Sequence, residues 1–174
     1  MKDTLKIVLF AVIVMCGGYL GTVLSSAFSV RIRQLGQLID IINQMWFNMG
    51  FLKMTVADAM EEAAKLSRGA IKKVFSDGSA IIKESGQKPS VALERSFLKN
   101  RDDLCLSKED RETVMDFAQL LGTGDRESEE NNIKAVIAKL KVSMEEAENQ
   151  WQRKGKLWRG LGYLGGLLLG IILF

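Results

Sequence analysis

Apolar residues recur at helical spacing through the middle of the chain, and a long uncharged stretch lies on each side of them. Residues 7–30 contain no charged side chain and are mostly apolar. At a rise of about 1.5 Å per residue, a helix of this length crosses the roughly 30 Å hydrocarbon core of a bilayer. A second uncharged stretch covers residues 160–174. We therefore predict an N-terminal transmembrane segment over residues 1–30 and a short C-terminal membrane segment over residues 160–174.

Each of these terminal predictions has an alternative. An early lysine, an apolar run and then small residues are also the order of a cleaved secretory signal. The run is longer than an ordinary signal core, and Arg31 and Arg33 follow it directly, which favours a retained anchor. Met15 stands before Cys16 where a lipoprotein signal would have a small residue. The C-terminal stretch is short for a span, so its alternatives are a buried core helix and an anchor in one leaflet.

Cationic residues crowd the inner ends of both predicted segments. The two that follow the first segment and the four that precede the second are Arg31, Arg33, Arg153, Lys154, Lys156 and Arg159. Because Lys and Arg are enriched on the cytoplasmic side of membrane helices, we expect residues 31–159 in the cytoplasm and both chain ends outside. The cluster around Arg153 is typical of a collar that faces phospholipid headgroups.

Turn and capping residues mark the helix boundaries in the first half of this middle region. The first helix is predicted to leave the membrane and end near Gly50. A second helix begins around Thr55, which approximates a capping box with Asp58. Gly69 separates this helix from a third, which ends at Gly86.

The same signals divide the second half. Pro89 opens a short fourth helix. Ser107 and Asp110 form a further cap signal for a fifth helix, and Gly122 occupies the position of a glycine that ends one. The sixth helix begins at about Asp125 and is predicted to run into the second membrane segment.

The predicted core is the set of apolar side chains that recur at helical spacing. They are Ile32, Leu35, Leu38, Ile39, Ile42, Met45, Trp46, Met49, Ala59, Met60, Ala63, Leu66, Ile71, Val74, Phe75, Ile81, Ile82, Val91, Leu93, Phe97, Leu98, Val114, Phe117, Leu120, Leu121, Ile133, Val136, Ile137, Leu140, Met144, Ala147 and Trp151. No stretch alternates as a half-buried strand does. The predicted fold is therefore all-α: a membrane-anchored antiparallel bundle of about six helices over residues 31–159, whose first and last helices continue into the transmembrane helices.

The chain lacks or nearly lacks two residue types that catalytic and metal sites often use, histidine and cysteine. The 174 residues include no histidine and two cysteines, and the net charge is +3. Histidine is the usual general base and the commonest metal ligand, and two cysteines cannot build a disulfide framework or a four-ligand zinc site. A charge of +3 is too small to indicate a nucleic-acid partner. We predict a protein that is not an enzyme, with no catalytic residue, cofactor, metal or small-molecule substrate.

The turn around Gly122 and Gly124 is the strongest candidate for a partner-binding site. It lacks the lysine and the spacing of a nucleotide-binding loop. Acidic residues at a helix start stabilise the helix dipole, but the charges here exceed what that role needs. The candidate partner-binding residues are Asp125, Arg126, Glu127, Glu129 and Glu130.

Glycines four residues apart recur within both membrane segments. They are Gly17 and Gly21 in the first segment, and Gly162, Gly166 and Gly170 in the second. Small residues at this spacing let membrane helices approach closely. We interpret them as candidates for helix–helix packing in the bilayer; the alternative is chance, because glycine is common in such helices.

Three segments carry a resemblance to a known family. Residues 106–111 (LSKEDR), 117–126 (FAQLLGTGDR) and 161–166 (LGYLGG), in this order, resemble the stage III sporulation protein AB family of endospore-forming bacteria. The resemblance extends over nearly the whole chain. It departs from the family pattern at Asn48, Phe51, Thr55 and Glu129, where a glutamate, a tyrosine, a proline and a glutamine are expected.

The resemblance implies a role that the residue patterns do not. The family's cytoplasmic domain is similar to the helical-bundle domain of inner-membrane platform proteins in type II secretion and type IV pilus machines. It implies a noncatalytic platform in the mother-cell membrane, within the channel complex that joins mother cell and forespore. Its partners would be a cytoplasmic secretion-type ATPase, other membrane proteins of the channel and membrane lipid. The alternative function is a small membrane sensor or signalling adaptor whose bundle transmits motion from the membrane helices.

Overall fold

Helices account for nearly all of the described chain. The computed structural model describes residues 29–121 and 130–152, and within these ranges it contains six helical segments, one 3-10 turn and no strand. Helix α1 comprises helical residues 29–50, and α6 comprises helical residues 130–152. Between them lie α2 (Val56–Ala64), α3 (Gly69–Ser85), α4 (Pro89–Lys99), the 3-10 turn (Arg101–Asp103) and α5 (Lys108–Leu120). Residues Arg31–Glu145 form one compact unit.

The predicted start and stop signals lie at the observed helix ends. The Thr55 hydroxyl accepts a hydrogen bond from the Asp58 N–H at the start of α2, and Pro89 is the first residue of α4. Gly86 ends α3 in the left-handed conformation, with φ of 62°, which a residue without Cβ adopts at low cost. The expected terminal glycine of α5, Gly122, lies outside the described residues.

The core contains most of the predicted apolar side chains, together with several that the periodicity missed, mostly alanines. Ile41 is fully buried on α1 although it was not on the predicted stripe. Leu66 is exposed because α2 ends at Ala64 and the chain turns there. The buried face of α4 is formed by Ala92, Leu93, Ser96 and Phe97, which places Val91 and Leu98 on its outer side. Trp151 is also exposed.

Buried serine hydroxyls connect α3 to its two neighbours. The Ser79 hydroxyl donates to the Ala57 carbonyl of α2 at 2.7 Å, and the Ser96 hydroxyl of α4 donates to the Val74 carbonyl at 2.6 Å. Both hydroxyls are buried, and each has a hydrogen-bond partner in a neighbouring helix. A buried hydroxyl without a partner would destabilise the fold. Small serine side chains also let the helices approach closely, so α2, α3 and α4 form one packed layer.

The predicted membrane segments fall almost entirely outside the described ranges. Of residues 1–30, only 29 and 30 are described, and none of residues 160–174 is. Among the helices that are described, none has both the length and the apolar character needed to cross a bilayer.

Candidate interaction surfaces

A buried carboxylate joins the start of α5 to the start of the bundle on α1. Asp110 is 0% exposed, and its two carboxylate oxygens accept hydrogen bonds from Arg31 Nε at 2.8 Å and Arg31 Nη2 at 3.1 Å. This bidentate geometry is the strongest arrangement of the two groups. Arg31 and Arg33 are the cations expected at the inner end of the first membrane segment; the Arg31 side chain is 19% exposed and paired with Asp110, whereas Arg33 is exposed.

The same carboxylate completes the cap of α5. The Ser107 hydroxyl accepts from the Asp110 N–H, and the Ser107 N–H donates to Asp110 Oδ2, which confirms the predicted cap as a full capping box. Ser143 on α6 also contributes to keeping the carboxylate ionised, less than Arg31 and Ser107 do. Burial alone raises the pKa of Asp110, but the hydrogen bonds from Arg31 and Ser107 outweigh it and hold the pKa below the usual aspartate value.

Gln34 fixes the segment that follows the 3-10 turn. This side chain is buried on α1, where its Nε2 donates to the Asp103 carbonyl at 3.0 Å and its Oε1 accepts from the Cys105 N–H at 2.8 Å. The N–H and the carbonyl of the Gln34 side-chain amide therefore both bind the irregular backbone that follows the 3-10 turn. Arg31 and Gln34 together fasten residues 103–110 to one end of α1.

An exposed lysine bridges two carboxylates between α2 and α3. Lys83 Nζ lies 2.8 Å from Asp58 Oδ1 and 2.6 Å from Glu61 Oε2. Hydrogen bonds to these carboxylates raise the pKa of Lys83, and the same hydrogen bonds lower the pKa values of Asp58 and Glu61. Each group is therefore held in its charged form, which is the opposite of what a proton-transferring lysine or carboxylate needs.

A polar-rimmed groove of about 310 Å³ lies between α5 and α6. Its lining residues are Asp116, Gln119, Leu120, Asn132, Ala135, Val136 and Lys139. Lys139 Nζ approaches Asp116 Oδ2 at 3.8 Å across the groove. The mixture of opposite charges and amides provides no cluster of like groups that would concentrate one kind of ion or substrate.

Only one of the predicted partner-binding residues is described. Glu130 is exposed at the start of the described part of α6 and pairs with Lys134 one turn later, at 2.7 Å. Asp125, Arg126, Glu127 and Glu129 lie outside the described residues. So do the glycines at positions 17, 21, 162, 166 and 170. Among the residues that are described, no three His, Cys, Asp or Glu side chains are grouped so that they could hold a metal ion.

Comparisons with known proteins agree on one family. Residues 6–174 match the family described as stage III sporulation protein AB. The stage III sporulation protein AB of Bacillus subtilis (strain 168) is 27% identical over 169 residues, covering 97% of this chain and 99% of that protein. A solved structure of stage III sporulation protein AB (SpoIIIAB) superposes with a TM-score of 0.65 at 26% identity, over 70% of this chain and 96% of that chain.

Proposed function

Because the chain belongs to the stage III sporulation protein AB family, we propose that it is a noncatalytic membrane assembly component of the sporulation channel complex between mother cell and forespore. In this role it couples a cytoplasmic secretion-type ATPase to membrane partners. The observation that carries the proposal is the extent of the family match, which runs over residues 6–174 and so includes both uncharged terminal stretches. The resemblance stated from the motifs is confirmed by this match.

The physical character of the bundle supports work through surfaces. Asp58, Lys83 and Asp110 have shifted pKa values because hydrogen bonds and opposite charges, mainly from other helices, hold each of them in its charged form. None of these groups is therefore tuned for proton transfer near neutral pH. Most of the Lys, Arg, Asp and Glu side chains of the described helices are exposed to solvent. Such faces bind other proteins with rates and specificity that depend on charge.

The proposed orientation places the bundle in the mother-cell cytoplasm. The cationic residues at the inner ends of the predicted membrane segments favour this orientation. Of these residues, Arg33 is exposed and Arg31 is paired with Asp110. A cytoplasmic bundle on membrane anchors would meet the ATPase on one side of the membrane and other membrane proteins within it. The proposed contacts in the bilayer are Gly17, Gly21, Gly162, Gly166 and Gly170.

Co-isolation from membranes of sporulating cells tests the proposal. An epitope-tagged full-length chain, replacing the cell's own copy, should bring down both the secretion-type ATPase and other membrane proteins of the channel. Recovery of the membrane proteins without the ATPase would contradict the coupling role. Recovery of neither, from a chain present at its normal level in the membrane fraction, would contradict the assembly role.

A further inference from the structure

The apolar pattern of α1 fits two positions of the helix along its own axis. Its six buried apolar side chains are Leu35, Leu38, Ile39, Ile41, Ile42 and Met45. A movement of α1 by four residues towards its own start would put into their places, in this order, Ile39, Ile42, Asn43, Met45, Trp46 and Met49. Five of these six residues are apolar, and Trp46 in place of Ile42 is the largest change in volume. Because cores accept apolar residues of similar size, the pattern permits both positions. We call the observed position the first register and the displaced one the second register.

Two polar side chains near the start of α1 fit only the first register. Arg31 donates two hydrogen bonds to the buried carboxylate of Asp110. Gln34 donates to the Asp103 carbonyl and accepts from the Cys105 N–H. We name Arg31 and Gln34 the register anchors. A movement of four residues displaces α1 by about 6 Å, which is twice the length of a hydrogen bond and would break all of these contacts.

Leucines would replace the register anchors in the second register. Leu35 would take the place of Arg31, and Leu38 would take the place of Gln34. The Asp110 carboxylate would then be buried without a counter-charge, which is strongly unfavourable. The backbone groups that Gln34 binds would also lose their partners. The register anchors therefore select the first register, as a single buried polar residue fixes the register of a coiled coil.

The turn between α1 and α2 has length in reserve for such a movement. It comprises residues 51–55, and it is folded back because the Met54 N–H donates to the Asn48 carbonyl at 3.2 Å. Five residues extend to roughly 17 Å, so straightening this turn can supply a movement of about 6 Å. Lys53 in the turn has a φ of 56°, a conformation that is unfavourable for residues other than glycine. Straightening the turn would release it.

We propose that α1 is a sliding element of the bundle, with two registers four residues apart. The register anchors hold it in the first register, and the same apolar core accepts the second when the anchors are moved. One-turn movements of one packed element past another are an established form of conformational switch. Both registers are properties of the bundle itself, so neither depends on an ATPase or on a channel.

Moving the register anchors by four residues tests the proposal in the purified full-length chain. The shifted-anchor variant carries Arg31→Leu, Gln34→Leu, Leu35→Arg and Leu38→Gln. Its arginine and glutamine meet Asp110 and the backbone of residues 103–105 only in the second register, so we expect a folded bundle with α1 displaced. The matched control carries the same four side chains in the other order: Arg31→Leu, Gln34→Leu, Leu35→Gln and Leu38→Arg. It satisfies neither register, so circular dichroism should show its helices melting at a lower temperature than those of the shifted-anchor variant.

The distance between two spin labels reports the register. In a Cys16→Ser background, one label is attached to Cys105, which lies at the start of α1 against Gln34, and the other to Phe47→Cys, roughly 20 Å further along the helix. Phe47 is half exposed and would move into the place of the exposed Asn43, so this label fits both registers. We expect the distance between the labels to shorten by about 3–5 Å in the shifted-anchor variant, the part of the axial movement that lies along the line between them.

A second pair of labels shows whether α1 alone has moved. The exposed Ala80 lies on α3, so the distance from Cys105 to a label at Ala80→Cys should be the same in the shifted-anchor variant as in the unchanged bundle. An unchanged distance from Cys105 to position 47 in a folded shifted-anchor variant would overturn the proposal. So would a shifted-anchor variant that does not fold or melts no higher than its control, and so would an equal change in both label distances.

Discussion

One oxygen of Asp110 serves two structural roles at once. Asp110 Oδ2 accepts from Arg31 Nε at 2.8 Å and from the Ser107 N–H at 2.9 Å. The cap of α5 and the ion pair to α1, 79 residues away in sequence, therefore share an atom. This shared atom therefore joins α1 directly to the start of α5.

Removing the cation should destabilise the bundle strongly. Arg31→Met leaves the buried carboxylate of Asp110 without its counter-charge, and breaking a buried pair in this way costs about 3 kcal/mol. Arg33→Met is the matched control, because Arg33 is exposed, and it should change the free energy of unfolding by less than about 0.5 kcal/mol. Urea unfolding of residues 31–159 measures both. Equal effects of the two substitutions would contradict the role assigned to Arg31.

The bundle should fold without the membrane segments. Residues Arg31–Glu145 form a compact unit with its own buried core, so the segment 31–159 should be soluble, predominantly helical and monomeric or weakly associated. Circular dichroism and sedimentation check this. Substantial strand content would contradict the fold. Insolubility alone would leave the helical fold intact, since apolar groups such as Trp151 are exposed.

Asp110 should make stability depend on pH in the acid range. Its pKa is lower in the folded bundle than in the unfolded chain, so its stabilisation is fully present above the unfolded value of about 3.9 and is lost as the pH falls through the folded value. Urea unfolding between about pH 5 and about pH 2, the range over which a carboxylate with a lowered pKa titrates, should therefore show a shallower loss of stability with acid for Asp110→Asn than for the unchanged bundle. If the free energies of unfolding of the two proteins fell in parallel with decreasing pH, Arg31 would not be holding the Asp110 carboxylate in its ionised form.

The helix ends were predictable from sequence because their signals are local. Ser107 and Asp110 stand three residues apart, and the capping box they form needs no information from elsewhere in the chain. The pairing of Arg31 with Asp110 was not predictable, because no sequence feature near Arg31 singles out Asp110 from the other Asp and Glu residues of the chain. Ser96 likewise gives no local sign that it is buried, because its hydroxyl is satisfied by the Val74 carbonyl of another helix.

Exposure of Phe47 and Phe51, at the end of α1, follows only in part from the sequence pattern. The stripe of α1 was predicted to continue through Met45, Trp46 and Met49, and Phe47 and Phe51 lie on the other side of that stripe. Whether such residues are covered depends on which helices pack beside α1. Periodicity indicates which face is apolar, but it does not assign a neighbour to that face.

Charge reversal near the start of α6 should weaken recruitment of the ATPase without unfolding the bundle. Glu130 pairs only with the exposed Lys134 among the described residues, and such pairs contribute about 0.3–0.5 kcal/mol. Glu127→Lys with Glu130→Lys should therefore leave helicity and thermal melting nearly unchanged while reducing ATPase binding in a pull-down. Glu112→Lys is the control, since Glu112 is also exposed and pairs one turn away, with Lys108. Undiminished binding by the double variant would move the interface elsewhere, to the basic face around Arg68, Lys72 and Lys73.

A role in binding a cytoplasmic ATPase requires the bundle to lie on the cytoplasmic side of the membrane, and the chain's own Cys105 can report that side. Cys105 is exposed, and the other cysteine, Cys16, lies within the predicted membrane segment. In the Cys16→Ser variant, a membrane-impermeant maleimide should leave Cys105 unlabelled in intact sporulating cells and label it after permeabilisation. A cysteine introduced by Asp3→Cys, on the predicted outer side, should be labelled in intact cells. Labelling of Cys105 in intact cells would contradict a cytoplasmic bundle and, with it, a platform that binds a cytoplasmic ATPase.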